Sequence, residues 1–570
     1  TSPTRLIISC TGADRPRSVV GRGILDHIDT GGSMRTRLCS AVLLAFTGAI
    51  VGACSVGEAT LAPAPGDACA AIAGTSLGLP YTTFTIAEEV AAPFTPPETF
   101  SSRGFVVEDG AFCRVAGTAT PEEGSEINFE VWLPHADAWN GRFQGIGSGG
   151  SAGAIRYPQL AVAVQNGYAA VATDNGHTSN SGFDGSWSLG HPVRLIDFGY
   201  RAQHEATVAG KAVTRAYYGR DADHAYFVGC SQGGHHALME AQRFPDDYDG
   251  IVAGAPANYW IGLMTGELWS GLATTKDPAQ DLPREKLPVL GAAVLEACDA
   301  LDGLEDGLID DPRACAFDPA VLRCDGADGA DCLTAGQVAA ARAIYAGPSR
   351  PSTGEQLFPG YALGSEYFEQ PGGRGGWGAY WAGITEPGGS TADFMRYSVF
   401  EDPDYDVLEF DFDADWDLAN NRPIGNDQTL GSALNAIDPD LSAFKANGGK
   451  LISYHGWADP LVTANLAVHY YESVIAEQGG IDQTTDFYRL FMAPGMAHCR
   501  GGPGPDRFDA VTALERWVED GIQPDQIVAS KMVDGDVTRS RPLCAFPQVA
   551  RYTGSGSVDD AANFACVDAD

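Results

Sequence analysis

The most constraining feature of this sequence is a serine held between two glycines, where an apolar, β-prone run gives way to a helix-forming one. The stretch reads His224-Ala225-Tyr226-Phe227-Val228-Gly229-Cys230-Ser231-Gln232-Gly233-Gly234, continued by His235-His236-Ala237-Leu238-Met239-Glu240-Ala241. Gly-x-Ser-x-Gly between a strand and a helix is a nucleophile elbow. Small residues at Gly229 and Gly233 permit the strained turn that lifts the Ser231 hydroxyl clear of the sheet. The five-residue pattern alone is common, and the strand before it and helix after it supply the specificity.

Such an elbow predicts an α/β-hydrolase fold, in which an acid and then a histidine follow the serine, each beyond the C-terminal end of a strand. Leu451-Ile452-Ser453-Tyr454 reads as one such strand and leads to Asp459. Tyr488-Arg489-Leu490-Phe491-Met492 reads as another and leads to His498. In this order Asp459 orients the imidazole, and His498 takes the proton of Ser231 and returns it to the leaving group. His455 competes for the role of base, but it precedes the acid, and a structural or pocket-lining role suits it better. Cys230 immediately precedes the serine and Cys499 immediately follows the histidine. The two loops must meet in this fold, so a Cys230–Cys499 disulfide is expected to tie them.

The chain of 570 residues is longer than one typical domain, and with 44% hydrophobic residues it can bury a large core. Its formal charge of −38 makes nucleic acid a poor partner. No apolar run in the body of the chain is long enough to span a bilayer. Residues 1–33 show neither helical nor strand periodicity and read as an upstream, non-native segment. Residues 34–54, opening Met34-Arg35-Thr36-Arg37 and continuing apolar from Leu38 to Ala53, read as a signal peptide. Val51-Gly52-Ala53-Cys54 is also similar to a lipobox, so a lipid anchor at Cys54 is the alternative to ordinary cleavage. Export, as a secreted, periplasmic or outer-membrane lipoprotein form, explains the ten cysteines downstream of Cys54, an even number suited to five disulfides. Cys298/Cys315, Cys324/Cys332 and Cys544/Cys566 are natural local staples.

Cys230-Ser231, Asp459 and His498-Cys499 together resemble the CS-D-HC arrangement of the tannase and feruloyl esterase family, and the resemblance runs from about residue 65 to the C-terminus. It implies a secreted serine carboxylesterase acting on esters of small aromatic acids, of feruloyl or galloyl type. Terephthalate monoesters are the alternative substrates. A non-catalytic exported binding protein is the alternative of another class, and a serine peptidase on the same fold is a third reading. The resemblance also suggests a Cys69–Cys113 bridge. The run Trp139 to Gly150, after a strand at Phe129 to Leu133, is similar to the family's glycine loop. The backbone N–H of Gln232, with that of Gly150 or Gly149, would then hold the developing oxyanion.

The expected domains are a catalytic α/β-hydrolase domain, residues 55–257 and 446–570, and a lid inserted at residues 258–445. The lid contains Cys298-Asp299-Ala300-Leu301-Asp302-Gly303-Leu304-Glu305-Asp306-Gly307-Leu308, in which carboxylates crowd a glycine-bent loop. Hard oxygen ligands suit a structural Ca²⁺ there, although the spacing is not that of an EF-hand. Similarity to the family's calcium loop implies Asp299, Asp302 and Asp306 side chains with the Leu304 and Leu308 carbonyls. A solvated acidic turn is the bland alternative. Trp377, Tyr380, Trp381, Phe394, Tyr397 and Phe400 are candidates for stacking an aromatic acyl group or for a lid core. Arg374 and Arg396 are candidates for binding an acid group.

Overall fold

Strand-forming apolar runs build a nine-stranded sheet, seen in a computed structural model that describes residues 65–569 except Asn180 and residues 371–374. Residues 1–33, expected to be an upstream segment, residues 34–54, expected to be a signal peptide, and Arg374 lie outside the described residues. The strands are β1 (Thr82–Ala91), β2 (Ala111–Ala119), β3 (Ile127–Pro134), β4 (Arg142–Ile146), β5 (Ala169–Thr173), β6 (His224–Cys230) and β7 (Gly250–Gly254). A small ribbon, β8 (Pro423–Gly425) with β9 (Gln428–Thr429), precedes the last two sheet strands, β10 (Lys450–Gly456) and β11 (Tyr488–Ala493). The sheet order is β1-β2-β3-β5-β4-β6-β7-β10-β11. Pairing is antiparallel from β1 to β5 and parallel from β5 to β11.

Alternation sends neighbouring residues of each parallel strand to opposite faces. Phe227, Ile251, Leu451 and Leu490 enter one core, with Ala206, Ala209 and Val213 of helix Ala202–Tyr218 and Val468, Tyr471 and Val474 of helix Ala464–Glu477. Tyr226, Val252, Ile452 and Phe491 enter the other, with Leu160 of helix Tyr157–Gln165 and Leu514 and Trp517 of helix Ala510–Asp520. Burial on both faces explains why these strands read as continuous apolar runs.

Between β7 and β10 the chain adds helices, short 3-10 turns and the β8–β9 ribbon, but no strand of the main sheet. Two further apolar clusters form there. One joins Trp260, Leu263, Met264, Phe394, Phe410 and Trp416 to Leu195 and Phe198. The other gathers Leu287, Leu290, Val294, Val338, Trp377 and Trp381. The described residues, this segment included, form one compact unit. After β11 come two antiparallel ribbons, β12 (Gln526–Val533) with β13 (Asp536–Cys544) and β14 (Gln548–Tyr552) with β15 (Phe564–Asp568).

Among the described residues five disulfides are present: Cys69–Cys113, Cys230–Cys499, Cys298–Cys315, Cys324–Cys332 and Cys544–Cys566. No helix among the described residues is long and apolar enough to cross a membrane.

Candidate active site

The carboxyl ends of the parallel strands share one edge of the sheet, and the ligand-binding crevice of an open α/β sheet lies outside that edge. There β6 ends in Cys230, opposite Gly254 of β7, while Gly456 of β10 pairs with Ala493 of β11. The segments leaving these ends carry Ser231, Asp459 and His498.

Ser231 sits at φ 68°, ψ −124°, a conformation that side-chain-bearing residues rarely adopt and that marks strain held by its surroundings. Its N–H donates to the Gly254 carbonyl at 2.9 Å, and its own carbonyl accepts from Ala257 at 3.1 Å and His235 at 3.0 Å. The glycines make the turn possible by close backbone approach. A Cβ on Gly229 would lie 2.3 Å from the Gly233 carbonyl oxygen, and one on Gly147 would lie 2.6 Å from the Gly233 Cα. The glycine loop therefore packs directly against the elbow. The N–H groups of Gln232, Gly149 and Gly150 donate no hydrogen bond among the described residues. Gly150 has φ 62° and abuts the Gly182 carbonyl.

Asp459 is buried at 1% exposure and fully engaged. One oxygen accepts from the Leu461 and Val462 N–H groups at 2.9 and 3.0 Å. The other accepts from His498 Nδ1 at 2.7 Å and His455 Nε2 at 3.0 Å. Burial opposes ionisation, yet the two imidazoles and the hydrogen bonds hold this carboxyl well below the usual carboxylate range. For His498 burial disfavours the cation, but Asp459 outweighs it and raises the imidazole above its ordinary value, with Glu267 contributing. His498 Nε2 is buried and has no hydrogen-bond partner among the described residues, so the bond to Ser231 is not formed here. Such bonds commonly tighten only when substrate is bound. The Cys230–Cys499 bridge, with Cα atoms 6.0 Å apart, keeps the two loops adjacent. His455, fully buried, also meets the Val462 carbonyl at 2.9 Å and so braces the acid from its far side.

Three residues of this neighbourhood carried no motif. Glu267 is the one charged residue of helix Trp260–Thr275 and is buried at 4% exposure, hydrogen-bonded by Thr391. Burial raises its carboxyl to about 7, against the opposing effects of Thr391 and His498. A lone acid in an otherwise apolar helix was the available signal. Glu267 and Thr391 line a cleft of about 280 Å³ with Phe183, Tyr380, Trp381 and Leu461. The cleft adjoins the site on two sides. Leu461 is hydrogen-bonded to Asp459, and Phe183 follows Gly182, whose carbonyl accepts from Ser151 at the end of the glycine loop. Arg156 is the third, its guanidinium 3.1 Å from where a Gly149 Cβ would stand.

Of the six aromatics between Trp377 and Phe400, Tyr380 and Trp381 line this cleft. Trp377 and Phe394 are core residues, and Phe400 stacks on Tyr405 at 3.7 Å. Arg396 donates to the Tyr405 carbonyl and does not line the cleft.

The acidic loop follows helix Leu287–Cys298 and bends at Gly303 and Gly307, with φ 89° and 83°. Asp299 accepts from the N–H groups of Asp306 and Gly307, Asp302 from Leu304, and Asp306 from Leu308 and from Arg541. Carboxylates and main-chain carbonyls in one bend are a donor set suited to a hard dication. Asp299, Asp302 and Asp306 do not, however, bring three carboxylate oxygens within 4.8 Å of one another in this arrangement.

The fold is that of an α/β-hydrolase, and the arrangement at its sheet edge is chemically equipped for serine-dependent acyl transfer. A family model, tannase and feruloyl esterase, matches residues 113–567. An uncharacterized esterase of Xanthomonas campestris is 41% identical over 535 residues, covering 86% of this chain and 90% of the relative. Mono(2-hydroxyethyl) terephthalate hydrolase of Piscinibacter sakaiensis is 38% identical, covering 80% and 84%. Among solved structures, feruloyl esterase B from Aspergillus oryzae superposes with a TM-score of 0.79 at 29% identity, covering 88% of this chain and all of that one. The chain belongs to the tannase and feruloyl esterase family and is a carboxylic ester hydrolase.

Proposed function

We propose that the protein is an exported serine esterase that cleaves esters of small phenolic acids, feruloyl or galloyl in type, through an acyl-enzyme. Ser231 attacks the carbonyl, His498 takes its proton and delivers it to the departing alcohol, and Asp459 fixes the imidazole tautomer and stabilises its cation. The N–H groups of Gln232 and of Gly150 or Gly149 hold the oxyanion. His455 is a positioning residue that acts through Asp459. Residues 258–445 serve as a lid on the catalytic domain formed by residues 55–257 and 446–570.

The observation that carries the choice of substrate is the cleft beside Asp459. Its walls offer the Tyr380 and Trp381 rings to a flat acyl group, and its described lining includes the carboxyls of Glu267 and Glu386 but no lysine or arginine. A phenolic ring, neutral and able to donate a hydrogen bond to Glu267, suits such a lining better than an acyl group bearing a second carboxylate. Terephthalate monoesters are the second reading, favoured by the 38% identical relative of that name. Methyl ferulate, methyl gallate, mono(2-hydroxyethyl) terephthalate and a fatty ester of similar solubility form the deciding panel. The phenolic esters are expected to show the highest kcat/KM. Preference for the terephthalate or the fatty ester would overturn the assignment.

The donor chemistry of the acidic loop supports Ca²⁺ held by Asp299, Asp302 and Asp306 with the Leu304 and Leu308 carbonyls. The ion would brace the lid and supply no step of the reaction. Chelation should lower the melting temperature, and unchanged melting of metal-free protein would leave the loop a plain acidic turn. Five disulfides support folding in an oxidising compartment, reached through the leader at residues 34–54, with Cys54 as the site of any lipid anchor.

A further inference from the structure

This chain carries 36 basic residues against 74 acidic ones, so a part-buried guanidinium with neither a carboxylate nor a carbonyl to accept from it stands out. Part-buried arginines elsewhere follow the rule that buried charge finds a partner, a main-chain carbonyl for Arg194, Arg284 and Arg396 and a carboxylate for others. Arg114 lies 2.6 Å from Glu130, Arg422 lies 2.6 Å from Glu401, and Arg201 and Arg541 also meet carboxylates. Arg156 departs from the rule. It is half-buried, its Nε is shielded from water without a partner, and its guanidinium makes no hydrogen bond or ion pair among the described residues. It stands beside Gly149 of the glycine loop. Burial lowers its basicity, and a second cation, Arg500, is close enough to lower it further. Arg500 follows Cys499 and is itself exposed and without an ion-pair partner among the described residues. Two unneutralised cations thus flank the site, one at the glycine loop and one at the histidine loop.

We infer that Arg156 and Arg500 form an anion subsite for the alcohol portion of the substrate, so that the preferred esters carry a carboxylate on the departing alcohol. The placement follows from the chemistry of acyl transfer. The histidine protonates the leaving oxygen, so the alcohol departs on the side of the His498 loop, where Arg500 lies. The aromatic cleft with Glu267 takes the acyl ring on the other side. A carboxylate between the two guanidinium groups relieves their mutual repulsion and gains charge-assisted hydrogen bonds. The inference rests on the serine esterase reading above and is independent of which acyl group is preferred.

The test compares two nearly isosteric esters of one acid, the carboxymethyl ester and the carbamoylmethyl ester, in the ferulate series and again in the acetate series. The parent enzyme is expected to favour the charged ester in kcat/KM by about 10-fold, the scale of one charge-assisted hydrogen bond. The preference should shrink as sodium chloride is added and should be lost in Arg156→Gln and in Arg500→Gln. Arg500 is exposed, so its variant keeps the test usable if Arg156→Gln folds poorly. A ratio near one in the parent enzyme, or a ratio retained in both variants, overturns the inference. So does selective loss of monomethyl terephthalate cleavage in the variants with the ester ratio unchanged, since the anion would then belong to the acyl group. Failure on ferulates with the same charge preference on acetates would instead overturn the phenolic reading and leave the subsite standing.

Discussion

The turn around Ser231 at the sheet edge is set by main-chain packing, whereas the segment between β7 and β10 takes its shape chiefly from apolar side-chain clusters. At the edge, main chain meets main chain. Gly147, Gly229 and Gly233 stack so tightly that no Cβ fits, and Ser231 is fixed in a strained turn. In the insertion, glycines approach both main chain, as Gly360 does the Tyr345 carbonyl, and side chains, as Gly266 does the Phe358 ring, while apolar clusters around Trp260 and Trp377 set the shape. Backbone contacts fix positions that cannot drift, whereas side-chain contacts fix a volume whose lining can vary. On the proposed mechanism, reaction chemistry belongs to the first region and choice of substrate to the second.

The largest expected effect is at the edge. Ser231→Ala should reduce ester hydrolysis to background with an unchanged circular dichroism spectrum, and Asp459→Asn should lower kcat by about 10⁴-fold. Near-parent activity in a folded Ser231→Ala protein would remove the serine from the mechanism. The two kinds of disulfide sharpen the comparison. Replacing Cys230 and Cys499 by serine should cut kcat by about 10²-fold through misplacement of the proton-transfer pair. Replacing Cys298 and Cys315 should instead lower the melting temperature and leave kcat nearly as it was, and a kinetic loss of equal size there would break the distinction. Glycine replacements extend it. A Cβ at Gly233 lies 2.8 Å from the Ser148 carbonyl oxygen, so Gly233→Ala should impair turnover, whereas Gly266→Ala, 2.7 Å from the Phe358 ring, should cost about 1–3 kcal/mol of stability.

The smallest effect expected is a displacement along the pH axis. His498 must be neutral to accept a proton, so kcat/KM rises with pH through its pKa. Asp459 and Glu267 hold that value up, because each favours the cation. Glu267 is itself raised to about 7 and carries its full charge only above that, so Glu267→Gln should move the acidic limb of the profile to lower pH by a small amount. A limb that stays in place would place Glu267 outside the electrostatic reach of the base.

What could be read from the sequence follows the same division. The elbow, the acid-then-histidine order and the flanking cysteines are encoded in short segments, each with its own turn or strand signal, so residue types sufficed to pair Cys230 with Cys499. The crossing of β4 and β5 in the sheet and the antiparallel strands before them left no such signal. Glu267 meets Thr391 across 124 residues, and nothing in either neighbourhood announces the other. The aromatics between Trp377 and Phe400 were legible as a group but not one by one. Trp377 and Phe394 went to core and Tyr380 to the cleft, because packing in three dimensions decides between those fates. His455, read as structural or pocket-lining, shares an oxygen of Asp459 with His498, a contact made by the bend between β10 and Leu461.

The Cys230–Cys499 bridge closes a loop of chain that contains the entire insertion. A crosslink at that position works as a drawstring at the neck of a bag: whatever is sewn in between enters and leaves through a fixed opening. Closing a longer loop adds little conformational cost, about 0.6 kcal/mol for each doubling of length. The insertion can therefore lengthen, shorten or be exchanged during evolution without pulling the elbow away from the histidine loop. New substrate specificities can be tried in that space while the reacting groups stay in register.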